Sequence, residues 1–423
     1  MDAKGIRGWV MYDFANSAFA TTMMAAVMPI YYKTVAGSGL AGNTAENYWG
    51  FTQSIAMLLV AVMSPLAGAI ADASGSKLKF LGFFTVLGAA ASALMALVGN
   101  GDWLLASVLV VLGTIGFTTG GTFYDALLAD GVPEERRHLV SAQGYAMGYI
   151  GGGLLLAINI AMIEGWSFLG FQDKTSATQA AFVTVGVWWL LFSLPILRWV
   201  KEQPVPHVSR TRTVAVREGL ARLVRTVRSL KAYPELLKYM AAFWFFNDGI
   251  STVIVMATIY GSGIGIGQTD LILALLITQF IGFPSTLLFG RLAVRFGARR
   301  MLQFSLTLYV IIVILGFLMT TALHFYALAF LVGLVQGGSQ AVARSLYAGL
   351  LPPARTAEFF GFLALSSKFS SILGPLVFSV VGTITGSSRW SILSLIAFFV
   401  IGIIILATVD FAKGSREAAG TTS

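Results

Sequence analysis

The chain holds 423 residues, 57% of them hydrophobic and only 11% charged, against roughly 25% charged in an ordinary soluble domain, so it reads as an integral membrane protein. Cysteine is absent and the three histidines lie far apart, which argues against disulfides and against a thiolate or histidine metal centre. The formal net charge of +9 gathers beside hydrophobic segments, as lysine and arginine do along one face of a membrane, and does not point to nucleic acid.

Apolar runs of about 20 residues, the length of a bilayer-crossing helix, recur along the whole chain, so helices and not a barrel are expected. The pattern predicts about twelve of them, at 7–35, 47–71, 78–98, 103–128, 139–163 and 177–199, then at 236–260, 271–294, 301–322, 325–351, 359–384 and 390–411. The expected fold class is an all-α integral membrane protein. Two six-helix bundles, 1–199 and 235–412, are joined by a basic linker at 200–234 and followed by a tail at 413–423. No cleavable signal peptide is expected, because Lys4 and Arg7 precede a long helix without a small-residue cleavage site.

Lys4, Arg7, Lys77, Lys79, Arg136, Arg137, the linker, Arg291, Arg295, Arg299, Arg300, Arg355, Lys413 and Arg416 fall in one set of loops. Lys33, Lys174 and Arg389 fall in the other. The positive-inside rule then predicts cytoplasmic termini and a cytoplasmic linker in an inner-membrane protein. Within the linker, Val216, Leu220, Leu223, Val227 and Leu230 recur at helical spacing between arginines. This describes a basic amphipathic helix on the anionic inner leaflet, a plain connector or, alternatively, a lipid sensor.

The first helix carries an acid, an amide and a hydroxyl, Asp13, Asn16 and Ser17, at i, i+3 and i+4, hence on one face, with Tyr12 beside it. The seventh repeats the pattern: Trp9 corresponds to Trp244, Asp13 to Asp248, Asn16 to Ser251 and Ser17 to Thr252, all at an offset of 235. Other segments repeat in the same order. The loop with Gly68, Asp72, Gly75 and Lys77 matches that with Gly290, Val294, Gly297 and Arg299, and Gly116…Gly120-Gly121 matches Gly333…Gly337-Gly338. The chain therefore reads as two duplicated halves.

This arrangement resembles the major facilitator superfamily over nearly its whole length. Gly68…Asp72…Gly75…Lys77 is similar to that family's loop between helices two and three, although Ala73 stands where an Arg is usual and Val294 replaces the acid in the second copy. The segment 12–19, with Asn247-Asp248-Gly249, Gly337-Gly338-Ser339-Gln340, Arg344-Ser345, Ser367-Lys368 and Gly374-Pro375, resembles the "unknown major facilitator" branch. That branch includes the autophagy-related vacuolar amino-acid effluxers of fungi.

The resemblance implies a cavity lined by helices one, four, seven and ten. It would place Tyr12, Asp13, Asn16, Ser17, Tyr124, Asp125, Tyr145, Asn247, Asp248, Thr252, Gln336, Gln340, Arg344 and Lys368 as residues for substrate or coupling. It would place Asp72, Gly75, Lys77, Gly290, Gly297 and Arg299 at a cytoplasmic gate. Two readings of Asp13 and Asp248 stand side by side. An acid inside a membrane segment is functional by default, yet both lie near a helix start, where a carboxylate caps or pairs. Arg344 and Lys368 likewise divide between substrate contact and gate or structural pairing. Trp188, Trp189 and Trp199 are expected as interface anchors.

No phosphate loop, metal motif or nucleophile triad is present, so neither a cofactor nor an enzymatic activity is expected. The expected function is secondary transport of a small polar or zwitterionic solute, an amino acid or short peptide, by alternating access with proton coupling in a monomer. The alternatives are an exporter of amphipathic compounds or lipids and a transport-inactive receptor.

Overall fold

The computed structural model describes residues 1–74, 76–132, 134–202, 230–351, 363 and 366–420. The linker's amphipathic segment lies outside them. Helix α1 runs from Ala3–Ala18 through π-helical Phe19–Ala26, α-helical Val27–Tyr31 and π-helical Tyr32–Ala36. Five more follow: α2 (Thr44–Ser74), α3 (Lys77–Leu94), α4 (Trp103–Gly131), α5 (Glu134–Glu164) and α6 (Lys174–Trp199). Then come α7 (Pro234–Gly263), α8 (Gln268–Phe296), α9 (Ala298–Leu318) and α10 (Ala322–Ala348). Helix α11 has a short stretch at 366–370, a turn at 371–372 and a main part, Leu373–Thr385. Helix α12 comprises Ser388–Ser394 and Ile396–Ala407.

Eleven of these helical spans are long and apolar enough to cross a membrane among the described residues. The interrupted α1 makes twelve long helical runs with them. Pro29 supplies no N–H to the turn before it, and the widened π turns of α1 lie directly upstream. A further short helix, α13 (Phe411–Ala418), follows α12. The sequence pattern placed one continuous helix across 390–411. Asp410 divides it, because its side chain accepts from the Lys413 N–H and so caps a new helix.

The chain forms two compact units, Met1–Ala45 with Ile55–Gly219, and Glu46–Ser54 with Leu220–Ser423. The first turns of α2 thus group with the second unit. There Trp49 Nε1 donates to the Val255 carbonyl at 3.0 Å, Ser54 Oγ to the Ile372 carbonyl at 3.0 Å, and Ser388 Oγ to Glu46 at 2.7 Å.

The pairing of helices repeats. In the first unit α1 packs on α5 and α6, and α3 packs on α4 and α6; in the second, α7 packs on α11 and α12, and α9 on α10 and α12. Small residues make the closest of these contacts, as expected where lipid gives helices no hydrophobic reason to associate. A Cβ on Gly116 of α4 would lie 2.6 Å from Gly88 Cα of α3, and one on Gly88 would lie 2.3 Å from the Trp189 ring. Trp189 is consequently fully buried, and Trp188 Nε1 donates to the Phe14 carbonyl at 3.1 Å. Both tryptophans serve the interior of the first unit, not the membrane interface expected of them. Gly297, with φ +93, turns the chain between α8 and α9 in a conformation other side chains rarely adopt.

Replacing Gly116 with alanine should overpack the α3–α4 seam and destabilise the protein by about 1–3 kcal/mol. Gly121→Ala, where nothing lies within 4 Å of an added Cβ, should be neutral or slightly stabilising. Thermal unfolding in detergent, followed by tryptophan fluorescence, compares the two.

Candidate functional site

In the first unit, α1 turns Asp13 and Ser17 toward a glycine-lined strip of α5. A Cβ on Gly144 would stand 2.5 Å from Asp13 Oδ2 and 3.0 Å from the Tyr124 hydroxyl; one on Gly148 would stand 2.6 Å from Ser17 Oγ. Gly151 and Gly152 meet the Phe14 and Ser17 carbonyls in the same way. Thr21 Oγ1 completes the seam, close enough to donate to the Ser17 carbonyl at 3.0 Å and to the Gly152 carbonyl of α5 at 3.3 Å.

The walls of this site are aromatic. Trp9 stacks on Tyr124 with ring centroids 4.1 Å apart and donates Nε1 to the Tyr124 carbonyl at 2.9 Å. Tyr12, fully buried, leans on the same ring at 5.0 Å and shares a 3.1 Å hydrogen bond with Thr85. Asn16 is buried, whereas Asp13 and Ser17 are half-buried. The Tyr124 hydroxyl and the Asp13 carboxyl thus flank the same point on α5, and Asp125, on α4 beside Tyr124, is exposed. No cation pairs with Asp13 among the described residues.

The second unit treats its matching acid differently. Asp248 is 1% exposed. Its carboxylate accepts the Gly374 N–H of α11 at 2.8 Å and lies 3.5 Å from Thr252 Oγ1, which itself donates to the Asp248 carbonyl at 2.7 Å. Gly374 sits in the first turn of the main part of α11, so Asp248 caps a helix start from a neighbouring helix.

The rest of the α7 polar face is joined to the same broken helix. Asn247 Nδ2 donates to Ser370 Oγ at 2.9 Å, Ser371 Oγ to Ser251 Oγ at 3.5 Å, and Trp244 Nε1 to Ser366 Oγ. Lys368 lies half-buried on the short stretch between these serines. The serines of α11 and the glycines of α5 are partners of these polar faces that the sequence pattern of the acids does not predict. The i, i+4, i+8 spacing of Gly144, Gly148 and Gly152 was the available signal.

Helix α10 offers an open polar face. Gln336, Gln340 and Arg344 follow one another at i, i+4 and i+8; Gln340 and Arg344 are exposed and Gln336 is half-buried. Gly333, Gly337 and Gly338 turn the other way and pack on α8, where their Cβ positions would meet Ile281, Thr286 and Phe289. No carboxylate pairs with Arg344 among the described residues.

Of the expected gate residues, Lys77 forms a 2.6 Å ion pair with Asp130 at the end of α4. Arg299 donates to the Ala407 carbonyl at 2.7 Å. Gly290 has open space around it. Gly75 and the side chains of Asp72 and Tyr145 lie outside the described residues. Among the described residues no group of three His, Cys, Asp or Glu could hold a metal ion.

The chain matches the family described as "Vacuole effluxer Atg22 like" over residues 39–132 and 129–419. It is 39% identical over 417 residues to the "Uncharacterized MFS-type transporter YxiO" of Bacillus subtilis (strain 168), covering 96% of this chain and 95% of that one. It is 26% identical over 305 residues to autophagy-related protein 22-1 of Aspergillus niger, covering 66% of this chain and 48% of that relative. With autophagy-related protein 22 of Yarrowia lipolytica the identity is 25% over 313 residues, covering 66% and 51%. The chain thus spans about half the length of these fungal relatives. Among solved structures it is similar to a mutant of the nucleoside transporter NupG, with a TM-score of 0.68 at 14% identity, covering 96% of this chain and 98% of that one. A D-xylose–proton symporter also gives a TM-score of 0.68 at 14% identity, with 99% and 98% covered. These two likenesses concern the fold alone.

Truncating the two matched acids should have unequal effects. Asp248→Ala leaves the buried Gly374 N–H without its acceptor and should destabilise the fold by about 1–3 kcal/mol. Asp13→Ala, at a half-buried carboxyl with no ion pair among the described residues, should change stability by less than about 0.5 kcal/mol. Equal losses in a thermal-unfolding comparison would refute this division of roles.

Proposed function

Because the chain belongs to the Atg22-like family of the major facilitator superfamily, and so is a membrane transporter by family and fold, we propose that it moves a small zwitterionic solute, an amino acid or short peptide, by proton-coupled alternating access. The observation that carries this reading is the opposite sign of charge on the open polar faces of the two units. The first presents Asp13 and Asp125; the second presents Arg344 with Gln336 and Gln340. An ammonium group suits the first face and a carboxylate the second, where a guanidinium offers two parallel donors. A zwitterionic solute carries both of these groups.

Asp13 is the residue assigned to proton coupling. It is half-buried, beside the Tyr124 hydroxyl over Gly144 and without a cationic partner among the described residues. A carboxylate so placed changes its proton occupancy when its exposure to water or its neighbours change. Asp248 holds α11 and is not assigned that part. The Lys/Arg distribution supports an inner-membrane orientation with both termini in the cytoplasm.

Purified protein in liposomes tests this with a panel of radiolabelled amino acids. An imposed proton gradient should drive accumulation of at least one of them. Asp13→Asn should abolish gradient-driven accumulation while leaving solute exchange under counterflow intact. Arg344→Ala should raise KM about tenfold or more, the scale of a lost charge-assisted hydrogen bond. If no amino acid accumulates, or if Asp13→Asn behaves as the wild type, the proton-coupled reading fails.

A further inference from the structure

The stretch of α10 that bears Arg344 is held from behind by residues outside the polar faces just described. Tyr239 on α7 is fully buried, and its hydroxyl donates at 2.5 Å to the carbonyl of Ala343, the residue immediately before Arg344. Its ring packs on Tyr347, one turn further along α10, at 6.3 Å, and edge-on against Phe411 of α13 at 5.9 Å.

Helix α13 is fixed in turn by Glu235, one turn before Tyr239 on α7. Glu235 is 2% exposed and accepts the Asp410 N–H at 2.9 Å and the Lys238 ammonium at 2.9 Å, with the Lys413 ammonium at 3.5 Å. Gly414 is buried where a Cβ would lie 2.4 Å from Leu350 and 3.1 Å from Glu235 Cβ, and Ser415 Oγ donates to the Gly349 carbonyl at 3.0 Å. Arg299 lies over the Phe411 ring at 5.8 Å.

One short helix after the last membrane span thus touches α7 and α9 and the end of α10. A carboxylate buried this deeply is held in place only where its donors are in place too. Its position therefore constrains α13 firmly, and α13 and Tyr239 together constrain the last turns of α10.

We propose that Tyr239, backed by Glu235 and α13, is a positioning residue that sets where Arg344 stands on the open face of α10. The functional half of this inference rests on the reading that Arg344 takes a solute carboxylate. The positional half does not. The natural chain has no cysteine, so S345C, placed beside Arg344 on an exposed residue, reports local position through its rate of labelling by a small maleimide.

Tyr239→Phe keeps both ring contacts and removes only the hydroxyl. Together with deletion of residues 411–423, it should change the labelling rate of S345C by about threefold or more, the scale of one lost hydrogen bond. S38C, exposed in the first unit, should label at the same rate in all backgrounds and so reports that the fold is intact. In liposomes loaded with radiolabelled amino acids, Tyr239→Phe should raise KM with little change in maximal rate and should add nothing to Arg344→Ala. An unchanged S345C rate in both backgrounds overturns the proposal whatever transport does. A changed rate in a protein that carries no amino acid sustains the positional role of Tyr239 and removes only the zwitterion reading.

Discussion

A carboxylate carried within a membrane-spanning helix has to find its hydrogen-bond donors on neighbouring helices, because the hydrocarbon core has no water to supply them. Both halves of this protein face that constraint at matched positions, Asp13 and Asp248. Both answer it with a glycine on the opposing helix, Gly144 on α5 and Gly374 on α11. A side chain at either glycine would occupy the space the carboxylate needs. The glycines therefore let α1 come close to α5 and α7 close to α11 at the level of the acids.

The two solutions part company over the continuity of the partner helix. Helix α5 runs unbroken past Asp13, so its backbone N–H groups are engaged within the helix. The carboxyl stands beside a phenol, Tyr124, over Gly144 at a half-buried site. Helix α11 turns at 371–372 and starts again at Leu373, which leaves first-turn N–H groups to be satisfied. Asp248 supplies the acceptor, and four hydroxyls and amides along α7 and α11 close the seam around it. Duplicated sequence thus yields one half-buried acid and one acid that holds a helix end.

The fold was legible because the bilayer leaves few alternatives: runs of about 20 apolar residues, polar breaks and a repeated order of glycines specify a duplicated helical bundle. Helix boundaries were less so. Asp410 starts α13 where the hydropathy of 390–411 suggested one continuous helix, because a single capping side chain outweighs an apolar run at its edge. The first turns of α2 group with the second unit through Glu46, Trp49 and Ser54, polar contacts that hydropathy does not register. Asp13 and Asp248 stood out as intramembrane acids, and their different roles did not. Those depend on Gly374 and Gly144, some 126 and 131 positions away, and no local pattern reports such a pairing. The tryptophan pair on α6 misled for the same reason. Its burial depends on Gly88, which opens the space Trp189 fills.

Arg344 presents a different physical problem from the acids. A long cation on an open face keeps its rotamer freedom, and binding a carboxylate forfeits much of it, so the affinity available depends on how well the backbone beneath it is already fixed. The last turns of a helix are where that support is weakest, because their carbonyls lack intrahelical donors. On α10 the Ser415 hydroxyl answers the Gly349 carbonyl just past the helix end, and the Tyr239 hydroxyl adds a donor at Ala343 one turn inside it. Glu235 sits behind both, since it binds α13 to α7. The polar residues of α7 consequently act at two levels of one helix: Asp248 secures the start of α11, and the Glu235–Tyr239 turn secures the end of α10. The second unit thus braces two of its helices from α7, while the first leaves its matched acid half-buried beside α5.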